Sequence, residues 1–283
     1  MLLDANKDKA EGEALDVAHG IPFARPMKIY AGDYDDIADA AIIIVTAGAN
    51  QKPGETRLDL VQKNVGIFRS IIPEIAKRNF AGILLIVSNP VDILTYTAMK
   101  LSGLPEHRVI GSGTVLDTAR FKYQLGEHLQ VDPRSIHAFI IGEHGDSEIA
   151  AWSTANISGI PVNDFCELRG HFEHDESMQR IAEDVKNSAY EIIAKKKATY
   201  YGIAMSVKRI CEAIVRDEKP ILPVSNFQNG VHGLHDVVLS MPAVVGKNGI
   251  EYQVPAPLSD DELARLHESA STLREVIDGL DLE

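Results

Sequence analysis

The chain contains little of what would mark it as a secreted or membrane protein. It has two cysteines, Cys166 and Cys211, among 283 residues. They show no C-x-x-C spacing and no disulfide framework, which favours a reducing compartment. No apolar run approaches the roughly 18 residues of a membrane span, and the first residues lack the basic and apolar regions of a signal peptide. We therefore expect a cytoplasmic protein without a membrane partner.

Basic residues are also scarce. The chain has 28 lysines and arginines against 41 acidic residues, a formal net charge of −13. Nucleic acids and anionic membrane surfaces require a basic face, so this balance argues against both as partners. The length suits one large domain or two smaller ones with an ample core.

A third absence concerns the glycine-rich phosphate turn, G-x-G-x-x-G, of dinucleotide-binding folds. Gly111-Ser112-Gly113 begins this pattern, but Leu116 stands where the third glycine is needed. The turn usually lies some twenty residues before the acid that binds the adenosine ribose. Asp4 follows an apolar pair and precedes a predicted helix, so it is a candidate for that acid. The turn would then lie before residue 1.

Short apolar runs alternate with helical patterns through the first half of the chain. The runs Ala41–Thr46 and Ile83–Val87 are continuous, which is typical of strands buried on both faces of a parallel sheet. The predicted strands are Leu2–Leu3, Met27–Ala31, Ala41–Thr46, Ile83–Val87 and Val109–Ile110. With intervening helices they predict an α/β fold with a doubly wound parallel Rossmann-type sheet. We expect this domain over residues 1–112 and an α+β catalytic domain over residues 113–283.

The second half combines predicted helices with further strand patterns. A polar segment, Asn163–Gln179, clusters histidines with acidic residues, among them His171 and His174. Such a cluster is compatible with a metal site or with a solvated connection. No pair has the spacing of a ligand set on a scaffold, so we favour the solvated connection and expect no metal.

The apolar run Ile136–Ile141 leads into Gly142 and His144 in the sequence I-I-G-E-H-G-D. It predicts a buried strand ending in a tight turn that presents one imidazole, whose ordinary pKa suits proton exchange near neutral pH. A surface turn that happens to contain a histidine is the alternative. Asp117 and Arg120 lie three residues apart on one face of a predicted helix. They could orient His144 and bind a carboxylate, or simply form an internal salt bridge.

Ligands of open α/β sheets bind beyond the carboxyl ends of the strands. Four predicted strand ends carry polar groups or glycines: Asp4, Thr46-Ala47-Gly48, Ser88-Asn89 and Gly111-Ser112-Gly113. The loop from Gly48 to Arg57 has the glycines and polar residues of a mobile lid.

Five stretches together resemble the NAD-dependent L-lactate dehydrogenases, especially the bacterial branch. They are D-A-N-K-D-K-A-E-G-E-A, T-A-G-A-N-Q-K-P-G-E-T-R-L-D-L-V, S-N-P-V-D-I-L-T-Y, G-S-G-T-V-L-D-T-A-R and I-G-E-H-G-D-S-E. The resemblance runs from residue 1 to the end of the chain, with the motifs in the family's order. It implies NAD as cofactor and pyruvate and L-lactate as substrates.

The resemblance also implies the roles of the catalytic residues. His144 would donate and accept the proton, with Asp117 as its partner, and Arg120 would bind the substrate carboxylate. Arg57 would polarise the reacting carbonyl, and Asn89 would bond to the same oxygen. The implied substrate pocket comprises Gln51, Arg57, Asn89, Asp117, Arg120 and Thr199. The implied cofactor site comprises Asp4, Lys9, Tyr34, Gly48, Ala49, Ser88, Asn89 and Ser112.

Gln51 bears on the choice of substrate. The related malate dehydrogenases place an arginine there, which pairs with a second carboxylate. A neutral glutamine leaves that carboxylate without a partner in a closed site, which is costly. We therefore expect pyruvate and lactate rather than malate, with longer 2-hydroxy acids left open.

Two departures from the family affect regulation and cofactor binding. Members activated by fructose 1,6-bisphosphate carry arginine at Lys122, paired across a subunit interface with the histidine matching His137. Lysine retains the charge but not the fork, so we expect weak activation. The resemblance itself implies a homotetramer. The resemblance begins at the family's second strand, without its first strand and phosphate turn. The chain as written is thus expected to bind NADH poorly, and an inactive subunit or interaction partner is an alternative function.

Overall fold

A computed structural model of the chain describes residues 1–49 and 57–280, with Arg57 described by its backbone alone. Gln51 and the Arg57 side chain therefore lie outside the described part. The helices are α1 Lys7–His19, α2 Arg57–Ala76, α3 Val91–Ser102, α4 Val115–Leu129, α5 Val162–Leu168, α6 His174–Lys196, α7 Tyr201–Val215 and α8 Asp260–Asp278. The strands are β1 Ile42–Val45, β2 Ile83–Ile86, β3 Val109–Gly111, β4 Ile136–His137, β5 Ile140–Ile141, β6 Ile149–Ala150, β7 Asn156–Ile157, β8 Ile160–Pro161, β9 Ile221–Asn229, β10 His235–Gly246 and β11 Gly249–Gln253.

Local chemistry sets several helix ends. The Asn6 side chain accepts a hydrogen bond from the Lys9 backbone N–H and so begins α1. Ser259 and Glu262 form a reciprocal capping box at the start of α8, which satisfies N–H groups that have no partner within the helix. Gly103 ends α3 with φ of 65°, a conformation that favours glycine.

One six-stranded sheet, in the order β1-β2-β3-β9-β10-β11, joins the two halves of the chain. The first three strands are parallel, and β9 to β11 are antiparallel. A single pair, Gly111 with Ser225, links the two sets. The α/β class with a parallel sheet in the first half is confirmed. The carboxyl ends of β1, β2 and β3 lie at one edge, where their loops can share a ligand.

Three predictions about the first strands are wrong. Residues 2–3 and 27–31 form no strands: Leu2 and Ala31 make an isolated parallel bridge with each other. The predicted strand at Ala41–Thr46 is not buried on both faces, because Ile44 is 43% exposed. In the described part of the chain, β1 is the outermost strand of its sheet and pairs with β2 alone, and this position leaves part of it uncovered.

The run Ile136–Ile141 is not one strand, contrary to the prediction. It divides into β4, which pairs with β7, and β5, which pairs with β6. The Ile140 backbone N–H donates to the Thr118 hydroxyl at 2.8 Å. A side chain on α4 therefore accepts from an N–H group that would pair with a neighbouring strand if the β-ladder were continuous. Strand periodicity cannot detect such a competing acceptor.

The predicted connection at residues 163–179 is largely helical, since α5 ends at Leu168 and α6 begins at His174. Val162 and Cys166 of α5 and Ile181 and Val185 of α6 join a cluster of buried apolar side chains with α4. Among the described residues, no helix is long and apolar enough to cross a membrane.

Candidate active site

His144 lies in the loop after β5 and meets the first turn of α4. Its Nδ1 atom is 2.6 Å from Asp117 Oδ2, and Arg120 Nη1 donates to Asp117 Oδ1 at 2.8 Å. Asp117 is 2% exposed. Asp117 therefore contacts His144 and also forms the salt bridge within α4, because one of its oxygens bonds to the imidazole and the other to the guanidinium.

The electrostatics of this trio favour a charged histidine. Burial alone lowers the pKa of His144, but the charge and hydrogen bond of Asp117 raise it to about 9. Burial raises the pKa of Asp117, but His144 and Arg120 together bring it below its ordinary value. At neutral pH the pair is thus an imidazolium and a carboxylate.

The backbone around His144 is fixed at three successive residues. Gly142 exchanges two backbone hydrogen bonds with Ser240, each of 2.9 Å, and adopts φ of 87°. The Glu143 N–H donates to Ser269 Oγ at 2.9 Å, and the His144 N–H donates to Asp92 Oδ2 at 2.7 Å. A side chain at position 142 would be strained by its φ, so glycine is required where the chain turns to present the imidazole.

Glu148 is a third titratable group beside the pair, and the sequence analysis did not single it out. The acidic oxygens of Glu148 and Asp117 and a ring nitrogen of His144 lie within 4.8 Å of one another. Burial and the Asp117 charge raise the pKa of Glu148 to about 8, so it carries a proton at neutral pH. These groups come close enough to hold a metal ion. However, Arg120 already neutralises Asp117 and Glu148 is protonated, which disfavours a cation.

The region around the start of α1 presents polar groups that suit a dinucleotide. The Asp4 carboxylate is 40% exposed and lies 3.6 Å from Lys9 Nζ, at the start of α1. An exposed carboxylate there can accept hydrogen bonds from ribose hydroxyls. Tyr34 is half-buried, with the Arg78 guanidinium 5.2 Å from its ring centre. Asp4 therefore fits the ribose of NAD, and Lys9 and Tyr34 lie on the elements next to it.

The buried side-chain amide of Asn64, on α2, links the loops that follow β1 and β2. Asn64 is 1% exposed; its Nδ2 donates to the Asn89 carbonyl at 2.8 Å and to the Ala49 carbonyl at 3.3 Å. Its Oδ1 accepts from the Ala49 N–H at 2.8 Å. Asn64 was not among the predicted residues, although a polar residue between Val61 and Val65 on the apolar face of a helix was a usable signal.

Ser88 and Ser112 complete this edge of the sheet. The Ser88 hydroxyl donates to the Ala47 carbonyl at 2.7 Å, and the Ser112 N–H donates to the Ile86 carbonyl at 2.8 Å. Gly48 and Asn89 are exposed beside them. Five of the predicted cofactor residues thus lie on the loops after β1, β2 and β3, namely Gly48, Ala49, Ser88, Asn89 and Ser112.

Two sequence profiles of one family cover nearly the whole chain. The profile of the lactate/malate dehydrogenase NAD-binding domain matches residues 1–111, and that of the alpha/beta C-terminal domain matches residues 114–281. The chain belongs to the lactate/malate dehydrogenase family.

Two relatives and one solved structure, each described as an L-lactate dehydrogenase, illustrate the similarity. The L-lactate dehydrogenase of Acetivibrio thermocellus is 56% identical over 282 residues, which is 100% of this chain and 89% of that protein. The L-lactate dehydrogenase of Thermoanaerobacterium saccharolyticum is 55% identical, over 100% of this chain and 91% of its own length. The crystal structure of the minor L-lactate dehydrogenase from Enterococcus mundtii in its ligands-bound form superposes with a TM-score of 0.96 at 46% identity. The match covers 100% of this chain and 90% of that chain.

Three further predicted residues lie outside the contacts described so far. Thr199 is half-buried just before α7. Lys122 is half-buried on α4, where burial lowers the pKa of its ammonium group, and His137 is exposed on β4. Their roles stay predictions, as do those of Gln51 and Arg57.

The histidines of the polar segment also have a defined setting. His171 packs against His128 on α4, with ring centres 4.4 Å apart. With His174 they line a shallow, open depression in the surface. Within the described residues, the arrangement of three metal-ligating groups occurs at Asp117, His144 and Glu148 and not in this depression.

Proposed function

We propose that this chain is an NAD-dependent L-lactate dehydrogenase, which interconverts pyruvate and L-lactate. One observation carries the proposal: the imidazolium of His144, its carboxylate partner and a carboxylate-binding guanidinium lie together on and beside α4. A 2-oxo acid requires both a proton donor and an anion-binding fork. The names of the relatives support the same activity.

His144 supplies the proton in the proposed reaction. Asp117 accepts the Nδ1–H, which leaves Nε2 to deliver a proton to the carbonyl oxygen of pyruvate. In lactate oxidation the neutral ring would take that proton back. Arg120 has one guanidinium nitrogen engaged by Asp117, and its remaining N–H donors would hold the substrate carboxylate. Orientation and charge are thus the main contributions of these three residues.

NAD, when bound, supplies hydride transfer at its nicotinamide ring. We propose that Asp4 binds the adenosine ribose, and that the loops containing Gly48–Ala49, Ser88–Asn89 and Ser112 line the remainder of the cofactor site with Lys9 and Tyr34. Asn89 would also donate to the reacting oxygen, while Arg57 would polarise the carbonyl and Thr199 would line the pocket.

We further propose a division into an NAD-binding domain at residues 1–112 and a catalytic domain at residues 113–283. The limits of the two family profiles, at residues 111 and 114, support it. A cytoplasmic homotetramer is proposed from the family resemblance alone. On the same ground, fructose 1,6-bisphosphate would bind near Lys122 and His137.

Gln51 provides the test of substrate choice. We expect the parent protein to prefer pyruvate over oxaloacetate in kcat/KM, measured by NADH oxidation in an otherwise unchanged chain. Gln51→Arg should shift this ratio toward oxaloacetate by about tenfold or more, because the new cation pairs with the second carboxylate. Gln51→Asn, which stays neutral, is the control and should leave the preference for pyruvate.

A parent protein that prefers oxaloacetate, or a longer 2-oxo acid, would contradict the proposed substrate. An unchanged ratio in Gln51→Arg would show instead that residue 51 does not contact the substrate's tail.

A further inference from the structure

Asp92 is a buried carboxylate that the proposed reaction does not use. It lies in the first turn of α3 and is 2% exposed. Its Oδ2 accepts the His144 backbone N–H at 2.7 Å, and its Oδ1 accepts the Ser225 hydroxyl at 2.5 Å. A carboxylate is costly to bury, so contacts at both oxygens beside a histidine require an explanation.

The position of Asp92 is set by the main sheet. Ser225 belongs to β9 and is the residue that pairs with Gly111 of β3. Its hydroxyl also lies 3.5 Å from that of Ser240, and Ser240 in turn binds Gly142 through two backbone hydrogen bonds. Asp92 and the His144 loop are therefore fixed to adjacent strands, and the contact between them is rigidly supported.

Two carboxylates, those of Asp117 and Asp92, favour the charged form of His144. From α4, Asp117 faces the imidazolium with Arg120 bound to its other oxygen. Glu148, from the loop that follows His144, carries a proton at neutral pH because its pKa is raised to about 8. Arg120 offsets part of the Asp117 charge, so Asp92 supplies a second negative charge that favours the imidazolium.

Asp92 itself is ionised under these conditions. Burial raises its pKa to about 6. The Ser225 hydroxyl opposes that rise, as do the backbone N–H and the charge of His144, and the neighbouring Glu143 adds to it. It is thus a carboxylate at neutral pH and becomes protonated as the pH falls through about 6.

We propose that Asp92 is a positioning residue, which holds the His144 backbone in place and keeps its imidazole protonated by balancing its charge. The contact with His144 stands independently of the reaction, and its consequence for turnover rests on the proposed function. Loss of the Asp92 charge should make His144 a weaker base while leaving it next to Asp117.

The test compares Asp92→Asn with the parent full chain, following the His144 ring signals by NMR from pH 4.5 to pH 10. The signals are assigned with His144→Gln. Asparagine matches the shape of aspartate and can still accept the His144 N–H. We expect the His144 midpoint to fall by about one pH unit in Asp92→Asn, since a nearby buried charge changes proton affinity tenfold or more at an effective dielectric constant of about 20.

Glu262→Gln is the matched control. Glu262 is also buried, at 6% exposure, and its carboxylate binds Ser153 and Ser259 rather than His144. Its loss should leave the His144 midpoint unchanged. Asp92→Glu, which restores the charge, should recover at least part of the shift.

A second measurement needs no variant at position 92. In the parent protein the His144 signals should show a small inflection near pH 6, from ionisation of Asp92, below the main transition near pH 9. Absence of that inflection, or an unchanged midpoint in folded Asp92→Asn, would overturn the proposal. A shifted midpoint in a chain that does not reduce pyruvate would uphold Asp92 and refute the proposed function instead.

Discussion

Asp117→Asn tests the central electrostatic claim about the site. Asp117 raises the pKa of His144 to about 9 from an ordinary value of 6.5. A rise of roughly 2.5 units corresponds to about 3 kcal/mol in favour of the imidazolium. Asp92 and Glu148 contribute part of that rise, so we expect Asp117→Asn to lower the His144 pKa by about two units.

The effect on rate has two separable parts. The proposed reduction of pyruvate requires protonated His144. The alkaline limb of kcat/KM should therefore move from about pH 9 in the parent toward neutral pH in Asp117→Asn. An asparagine amide can also donate to Nδ1 and favour the wrong tautomer, which typically reduces proton-transfer catalysis by about 10²–10⁴-fold. Initial rates of NADH oxidation at varied pyruvate, from pH 5.5 to pH 10, measure both.

The same pair predicts a pH window for stability. When folding raises the pKa of a histidine, the protonated histidine stabilises the folded state. This contribution is complete at pH values below the pKa of the unfolded state, and it is lost as the pH rises through the pKa of the folded state. Asp117→Asn should therefore lower the free energy of unfolding by about 3 kcal/mol at pH 6, and by less at pH 10, in urea titrations. Glu148→Gln serves as a control, because Glu148 also titrates near pH 8. An alkaline limb that stays near pH 9 in Asp117→Asn, or moves only in Glu148→Gln, would refute the assignment to His144.

Two further variants probe the loops and the proposed effector site. Asn64→Leu leaves Ala49 and Asn89 without their amide partner and should lower the free energy of unfolding by about 2–4 kcal/mol in urea. Ser70→Ala, at an exposed site on the same helix, should change it little, and an equally small change in Asn64→Leu would contradict the bridging role. Lys122→Arg should bind fructose 1,6-bisphosphate more strongly than the parent, because arginine offers a planar fork. Equal lowering of the pyruvate KM by this effector in both proteins would show that lysine is sufficient.

Local pattern was enough to predict the helix that carries Asp117 and Arg120. An i, i+3 spacing places both side chains on one face whatever surrounds the helix. The turn at Gly142 was also predictable, because glycine followed an apolar run. The family resemblance then paired Asp117 with His144, and the structure places their side chains 2.6 Å apart.

Contacts between distant parts of the chain were not predictable in the same way. Asp92 reaches His144 across 52 positions and Ser225 across 133. Nothing in the local sequence distinguishes Asp92 from an acid placed early in α3 for the helix dipole. Glu148 was missed for the same reason, since its role depends on tertiary neighbours. The break between β4 and β5 likewise depends on Thr118 of another element.

The shared carboxylate of Asp117 explains why the site can both hold and release a proton. In the free protein Arg120 offsets part of the Asp117 charge, which restrains the pKa of His144. In the proposed complex a substrate carboxylate would occupy the Arg120 fork. One guanidinium would then serve two anions, so the attraction between Asp117 and the imidazolium would strengthen. Transfer of the proton to pyruvate would leave Asp92, Asp117 and the product carboxylate facing a single cation. That excess of negative charge would favour departure of the lactate anion and uptake of the next proton by His144.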